Sequence, residues 1–561
     1  MNERLYNYLT HANLLGSEQA GFRAKHSTLD HIFALQVLSN YYINNNKQLY
    51  CAFVDYSKAF DFVNRSYLWQ KVLDTNVNGK ILNVIRNMYK DAKSHVSLKN
   101  VLSDPFPCQV GVRQGENLSP LLFAIFLNDF KTFLSRDYKG LTCVSESIRN
   151  ELNVFLKIFC LLYADDTIIL AEKAEQLQKA LKSLNDYCDK FDLKVNLDKT
   201  KVIIFSKGKI RQHKHFAFGE NSSINVVEDY VYLGTTFNYN GKFNKAKAKQ
   251  VLQAKKANFS LQAKTRELNL AVDTFTELFE RLIIPVLLYG SEIWGYEDLN
   301  QLQVTCNNVM RRFLKLHKTT PMKMLIGELG MKEVTEFIDN RMLNFWCNIA
   351  TGEESKILTI LYKWIKILHD KNVYKSPWLD KIKSTLDSLG MHNLFNDISH
   401  VNKSWFKNTV KQKLNDIYTN KWSVSVFNSS ACINYRAMTE YKQLQKYLLI
   451  LPSQYMYAMC KFKCANHRMP IVRGRQNGTP VDDRKCELCD LNDHYNKVGD
   501  EFHYLFNCPF FKEDRVRHIK RYYYTAPNTY KMTQLFNYVS EREMLELGKF
   551  IYKIINHFRN R

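Results

Sequence analysis

Asp165 and Asp166 stand side by side between two short apolar runs, Leu161-Leu162-Tyr163-Ala164 and Thr167-Ile168-Ile169-Leu170. Each run has the length and composition of a strand, so the pair is expected at the tip of a hairpin over 158–171. Two like charges at a buried tip are unfavourable unless a cation neutralises them. The cation that carboxylates select is hard and divalent, and its chemistry is that of phosphate esters. Asp-Asp is also a good turn former, and that plainer reading stands beside the first. A third carboxylate, Asp55, ends the apolar run Leu49–Tyr56. The three together would form a cage for two metals and in-line phosphoryl transfer, activating a 3′-hydroxyl and stabilising leaving pyrophosphate. Asp55 is equally placed to cap a helix over the residues that follow, although Ser57 could cap it instead.

A second constellation lies near the C-terminus. Cys486-Glu487-Leu488-Cys489 is followed, after 13 residues, by His503-Tyr504-Leu505-Phe506-Asn507-Cys508. Cys-x2-Cys with His-x4-Cys supplies Cys486, Cys489, His503 and Cys508 as ligands for one tetrahedral Zn²⁺. His494 is the substitute ligand. Cys460, Cys464 and His467 lie nearby but lack a fourth donor, so they read as packing.

These residues need elements to position them. Residues 1–48 read as polar and helical, with a turn at Gly21-Phe22-Arg23. Strand 49–56 is followed by helical patterns at 66–76 and 79–91, then by strand-like pieces His95–Lys99 and Pro107–Val112. An apolar helix is expected from Leu118 to about Leu134, a loop over 135–153, then the hairpin, a helix at 174–190 and a strand at 202–206. The order is β-α-β-β-α-β in outline, an α+β layer on a mainly antiparallel sheet. Residues 243–265, rich in Lys, Ala and Gln, predict an exposed basic helix, and most of the chain to 460 reads helical.

The chain of 561 residues carries 79 Lys and Arg against 55 Asp and Glu, a formal charge of +24. That balance suggests a polyanionic partner, and aromatics at 13% suit single-stranded nucleic acid, where bases stack on rings. Most of those rings will nonetheless be core. Thirteen cysteines, mostly scattered and without a signal peptide, argue against a disulfide framework. No apolar run is long enough for a transmembrane helix. An intracellular, reduced protein, nuclear and cytoplasmic and not secreted, is expected.

Six motifs in order across residues 19–234 resemble the reverse transcriptases of non-LTR (LINE-like) retrotransposons. They are Gln19-Ala20-Gly21-Phe22-Arg23 with Ser27-Thr28, Phe53-Val54-Asp55 with Ser57-Lys58-Ala59-Phe60-Asp61, and Gly111-Val112-Arg113-Gln114-Gly115 with Leu118-Ser119-Pro120-Leu121-Leu122-Phe123. The others are Tyr163-Ala164-Asp165-Asp166, Asn196-Leu197-Asp198-Lys199-Thr200-Lys201 and Tyr232-Leu233-Gly234. The resemblance implies a right-hand polymerase palm followed by a helical thumb. It implies partial fingers at 1–50, palm at 51–206, primer grip and thumb at 207–300, a helical region at 301–480, a zinc-knuckle-like element at 481–515 and a helical tail at 516–561.

It also implies roles. Asp55, Asp165 and Asp166 would hold two Mg²⁺ ions, with Mn²⁺ as a substitute, and Phe60 would lie beneath the sugar and exclude a 2′-hydroxyl. Gln114 and Gly115 would meet the nucleotide or template. Arg113 would pair with phosphate, unless it is simply a solvated charge. Lys199 would neutralise or protonate pyrophosphate, with Lys201 on the same strand face as its rival. Arg23 and Lys25 would reach the triphosphate, an exposed basic loop being the alternative. Tyr232, Leu233 and Gly234 would be the primer grip. The partners would be an RNA template, a DNA primer or target, and dNTPs.

The family has further fingers motifs and often an endonuclease upstream of this segment. The chain is therefore expected to be the C-terminal portion of a longer element protein, or the product of a truncated copy. An inactive RNA- or DNA-binding derivative is the rival function. An RNA-dependent RNA polymerase is a further one, against which Phe60 argues.

Overall fold

The computed structural model describes residues 1–559, apart from Ser17, Lys25, Asn78, 143–156, Phe159, 209–213, 354–355 and 490–496. Four antiparallel strands form its central sheet: β1 (Leu49–Val54), β2 (Cys160–Tyr163), β3 (Asp166–Ala171) and β4 (Lys201–Phe205). Their order is β4-β1-β3-β2. Every residue of β1 is buried. Alternate side chains serve different cores, as the pleat requires. Leu49, Cys51 and Phe53 join Ile168, Leu170, Ile203 and Phe205 on one face. Tyr50, Ala52 and Val54 join Ile169, Val202 and Ile204 on the other. Burial on both faces is why these strands read as continuous apolar runs. Helices between the strands give the expected β-α-β-β-α-β order.

The second face is covered by the helices Arg65–Asp74, Ser119–Phe126 and Ala174–Phe191. The last buries Leu177, Leu181, Leu184, Cys188 and Phe191, a stripe at three- and four-residue spacing that fixes its inward side. The single helix expected over 118–134 is instead two, Ser119–Phe126 and Phe130–Leu134. The Lys71 ammonium sits at the break. It donates to the Phe126 carbonyl at 2.6 Å and the Asp129 carboxylate at 2.6 Å, and it lies 3.6 Å from the centre of the Phe191 ring. Tyr187 donates to the same carboxylate at 2.7 Å. A buried cation thus takes up polar groups that an unbroken helix would have kept.

The first face differs from expectation more. The helix Thr28–Asn44, read as polar, buries Ile32, Phe33, Ala34, Leu35, Val37 and Leu38 in succession. It is started by a Ser27–Asp30 capping box. One side meets the sheet core; the other meets C-terminal helices, where Phe33 packs edge-on against Trp378 and Phe345 and Tyr41 against Trp364. An all-round buried helix has no amphipathic stripe by which to announce itself.

Smaller differences have similar causes. No helix follows Asp55 until Arg65, so the capping role for Asp55 or Ser57 falls away. The pieces 95–99 and 107–112 reduce to two-residue pairings, Ser97–Leu98 with Val101–Leu102 and Lys93–Ser94 with Phe106–Pro107. Val96, Leu98, Val101 and Leu102 are exposed, so no packed face extends the ladder. Residues 143–153 of the expected loop lie outside the described residues. Past a hairpin of β5 (Asp229–Tyr232) and β6 (Thr235–Asn238), no further strand occurs among the described residues. The basic helix runs Asn244–Leu268. Among the described residues, no helix is long and apolar enough to cross a membrane.

Candidate active site

Register brings the carboxylates together. β1 pairs β3 with Val54 opposite Thr167, so one further step places Asp55 opposite Asp166. Directly opposed residues of an antiparallel pair share a face. β2 pairs β3 with Tyr163 opposite Asp166, leaving Ala164 and Asp165 as a two-residue turn. All three carboxylates therefore lie at one rim of the sheet. Burial, then the charge of Asp165, then that of Asp55, push the Asp166 carboxyl up to about 6. Burial and Asp55 likewise raise Asp165. Three hard oxygen donors, two of which resist ionising there, fit a divalent cation, whose charge would remove the repulsion.

The hairpin tip is held from outside the sheet. Residues 18–20 run alongside β2: Ala20 donates to the Leu162 carbonyl at 2.9 Å, and Leu162 donates to that of Glu18 at 3.0 Å. The Gln19 amide oxygen accepts from both Gly21 N at 3.0 Å and Ala164 N at 3.2 Å. Ala164 has φ +57°, a left-handed backbone that a side chain disfavours, and this bond helps hold it. A Cβ on Gly21 would lie 2.2 Å from Ala164 N, so only glycine permits the approach. The Gln-Ala-Gly segment is thus a brace for the hairpin turn. Arg23 is engaged in that brace. Its guanidinium donates to the carbonyls of Gly16 at 2.8 Å and Gln19 at 3.2 Å. Lys25 lies outside the described residues.

Asp55 is fixed by the segment after the long helix. Its N–H donates to Thr200 Oγ1 at 3.1 Å, and its carbonyl accepts from Asn196 N at 2.8 Å. Asn196 Oδ1 accepts from the amides of Asp198 and Lys199, an Asx turn that ends just before β4. Lys199 consequently sits in a turn, not on the strand with Lys201. The turn brings its ammonium to 3.7 Å from the Asp55 carboxylate, while Lys201 bonds back to the Leu197 carbonyl at 3.2 Å. Fully buried Thr200, which sequence reasoning passed over, anchors the whole turn.

A cavity of about 590 Å³ opens beside the site, lined by Phe60, Arg113, Gln114 and Gly115 together with Tyr6 and Phe22. The three carboxylates are not in its wall. Phe60 stacks on Phe123 with ring centres 4.7 Å apart, and its carbonyl accepts from Val112 N at 2.8 Å. Gln114 donates to Asp61 at 3.0 Å. Arg113 donates to the Met88 carbonyl at 2.7 Å and lies 5.4 Å from the Tyr89 ring centre, so it is packed and not merely solvated. Tyr6 was missed because nothing in its surroundings marks it. Phe22 was visible inside its motif, and its exposed ring is the signal that could have found it.

The Tyr232-Leu233-Gly234 segment is the turn of the β5–β6 hairpin, with Leu233 and Gly234 at φ +45° and +79°. Tyr289 donates to the Leu233 carbonyl at 2.8 Å, and Tyr232 is paired with His31 at 3.2 Å. Tyr230 stacks on Phe53 at 4.6 Å. Burial, Asp55 and Asp166 raise the Tyr230 hydroxyl to about 12, so this unforeseen residue borders the carboxylates.

The four C-terminal residues also meet. One donor atom from each of Cys486, Cys489, His503 and Cys508 lies within 4.8 Å of every other. Cys489 is 3.7 Å from Cys508 and 3.3 Å from His503 Nε2, and Cys486 is 4.0 Å from Cys508. Ligands about 2.3 Å from a tetrahedral centre are about 3.8 Å apart, so the set fits a metal of zinc's size. Contact with Cys508, then with His503, pulls the Cys486 thiol down, while the same contact and burial push Cys508 up, so the pair shares one proton. Buried Arg515 donates to the carbonyls of Tyr504, Leu505 and Cys508 and so braces the second half of the cluster. Cys460 and Cys464 are buried in the main core, and His467 pairs with Glu501 at 2.9 Å, as packing residues would. His494 lies outside the described residues.

Residues 1–237 match the family model described as reverse transcriptase (RNA-dependent DNA polymerase). The chain is 26% identical over 329 residues to the probable RNA-directed DNA polymerase from transposon BS of Drosophila melanogaster, covering 55% of this chain and 33% of that protein. It is 23% identical over 317 residues to the RNA-directed DNA polymerase from mobile element jockey of the same fly, covering 52% and 31%. It is 25% identical over 252 residues to the retrovirus-related Pol polyprotein from type-1 retrotransposable element R2 of Nasonia vitripennis, covering 42% and 23%. The chain spans about a third or less of the length of these relatives.

Two outcomes are expected. Because folding raises the Asp166 carboxyl from 3.8 to about 6, the native state holds the extra proton within that window. The stability this confers is present below about 4 and lost as pH rises through about 6. In metal-stripped protein the loss should be about 1 kcal/mol once solvent screening is allowed for. Asp166→Asn should remove it, and a melting profile with the same pH slope in both proteins would contradict the assignment. Gly21→Ala should cost about 1–3 kcal/mol by forcing the brace off the hairpin, read as a lower denaturant midpoint; an unchanged midpoint would show that the brace yields freely.

Proposed function

We propose that the chain, whose residues 1–237 match the reverse transcriptase family model and which is similar to the polymerases of non-LTR retrotransposons, is an RNA-directed DNA polymerase adding deoxynucleotides to a primer 3′-hydroxyl. The observation that carries this reading is the register that sets Asp55 against Asp166 beside Asp165, with both hairpin carboxyls raised by burial and then by their neighbours. These residues would hold two Mg²⁺ ions, or Mn²⁺ in their place, which when bound supply charge for hydroxyl activation and pyrophosphate departure. Lys199, in its turn beside Asp55, is placed to neutralise the leaving pyrophosphate. Phe60, rigid on Phe123, is the floor on which a 2′-hydroxyl would clash, and Gln114, Arg113 and Gly115 complete the nucleotide wall. The turn at Tyr232-Leu233-Gly234, tied to Tyr289, would hold the primer end over the carboxylates.

The domain reading follows. Residues 1–50 act as partial fingers, 51–206 as palm, and 207–300 as primer grip and thumb, whose helix Asn244–Leu268 would grip the phosphates of an RNA template and DNA primer. Residues 301–480 form the helical C-terminal region, 481–515 an element holding one Zn²⁺ through Cys486, Cys489, His503 and Cys508, and 516–561 a helical tail. The cysteines among the described residues are all unbridged, which suits an intracellular, nuclear and cytoplasmic protein.

The test is primer extension on RNA with Mg²⁺ and dNTPs. Wild type should make cDNA and Asp165→Ala should make none. If both are inert while the protein still binds RNA, the chain acts as a binding protein alone. Phe60→Val should admit ribonucleotides, and unchanged sugar selectivity would remove its gating role. Metal analysis should find one zinc per chain, lost in Cys508→Ser with a lower melting temperature; a folded protein free of zinc would sink that site.

A further inference from the structure

A second cavity, about 600 Å³ in volume, lies in the C-terminal region and uses none of the residues assigned above to the polymerase site. It is built by the helix Ser453–Lys463, the helix Glu541–His557 and the turn after the helix Asn300–Phe313. Four cations line it: Lys315, Lys461, Arg468 and Arg559. Among the described residues no carboxylate is in its wall and no ion pair reaches these four. Lys315 lies 4.0 Å from the Tyr457 ring centre, and Lys461 follows Tyr457 by one helical turn on the same face. Burial, then the charges of Arg559 and Lys315, pull the Lys461 ammonium below its usual range, the mark of cations gathered without an anion.

The rest of the lining says what anion. Tyr457 and Tyr552 offer ring faces, and the amides of Gln454, Asn466 and Asn556 offer paired donors and acceptors. The volume is that of a nucleotide-sized ligand and far exceeds a lone phosphate. Cations for phosphates, rings for stacking and amides for base edges are the components of a single-strand site. The wall is firm: His467, also in the lining, is fixed through Glu501 at 2.9 Å, two residues before His503 of the Cys/His cluster.

We propose that this cavity binds a segment of single-stranded nucleic acid, one base entering between the tyrosines while Lys315, Lys461, Arg468 and Arg559 take the flanking phosphates. The site is separate from the polymerase cleft, and its test needs no catalysis. The full chain is titrated, without dNTPs, with a fluorescent oligouridylate carrying one 4-thiouridine. Photo-crosslinks should map to peptides containing Tyr457 or Tyr552; crosslinks confined to residues 1–300 would overturn the proposal.

Lys461→Glu with Arg468→Glu should weaken binding about tenfold. It should also flatten the salt dependence by about 1.4, two phosphate contacts at about 0.7 each. Unchanged affinity and slope would overturn the proposal. The charge-conserving pair Lys461→Arg with Arg468→Lys should keep binding within about twofold and so controls for folding. Tripolyphosphate that displaces the oligonucleotide at equal phosphate concentration, with no crosslink to either tyrosine, would mean a small-polyanion site and equally count against the proposal.

Discussion

The constraint from which the rest of the structure follows is a repulsion. Three carboxylates are driven together at one edge of a buried sheet, where burial and neighbouring charge oppose the ionisation of Asp165 and Asp166. An isolated hairpin would relieve this by opening. It cannot open here because the segment 18–21 clasps its tip and the Asn196–Thr200 turn clasps the end of the neighbouring strand. Beneath, the ladder between β1 and β3 is buried on both faces. The stability of the fold thus maintains a site that is unfavourable until a cation enters it, a familiar way of storing strain where chemistry occurs.

The clasp gives the motifs a physical meaning. Gln19-Ala20-Gly21 and Asn196-Leu197-Asp198-Lys199-Thr200 lie far apart in the chain, and neither supplies one of the three clustered carboxylates. Each instead satisfies main-chain groups at a strand end where a ladder stops and polar atoms would otherwise be orphaned. Glutamine suits the first because one amide oxygen can accept from two N–H groups. Asparagine suits the second because its side chain imitates a turn of backbone.

Much of this was legible in the residues. Strands buried on both faces wrote themselves as apolar runs, and the Asp pair between two of them could only be a tip. The helix Ala174–Phe191 showed its inward stripe, and the Cys/His spacing showed a cluster. Other parts left no local trace. Thr28–Asn44 is wrapped on all sides, so its sequence lacks the polar face by which helices are ordinarily recognised. The break after Phe126 depends on Lys71, more than fifty residues earlier, and no window of sequence contains both. The bonds from Arg23 to the carbonyls of Gly16 and Gln19 depend on how the segment folds back, which its residue types do not show. Lys199 and Lys201 differ by a turn that only the placement of Asn196 decides.

The wrapped helix has a consequence for the order in which the protein is made. Phe33 rests on Phe345 and Trp378, so the helix that covers the sheet is itself covered by residues synthesised long after the sheet. At ribosomal speeds of about 5–20 residues per second, the interval between Asp166 and Trp378 lasts roughly 10–40 s. Through that time the nascent chain carries the helix Thr28–Asn44 with its outer apolar side bare. The newborn chain therefore has a waiting period, during which this apolar surface is open to whatever neighbours it meets.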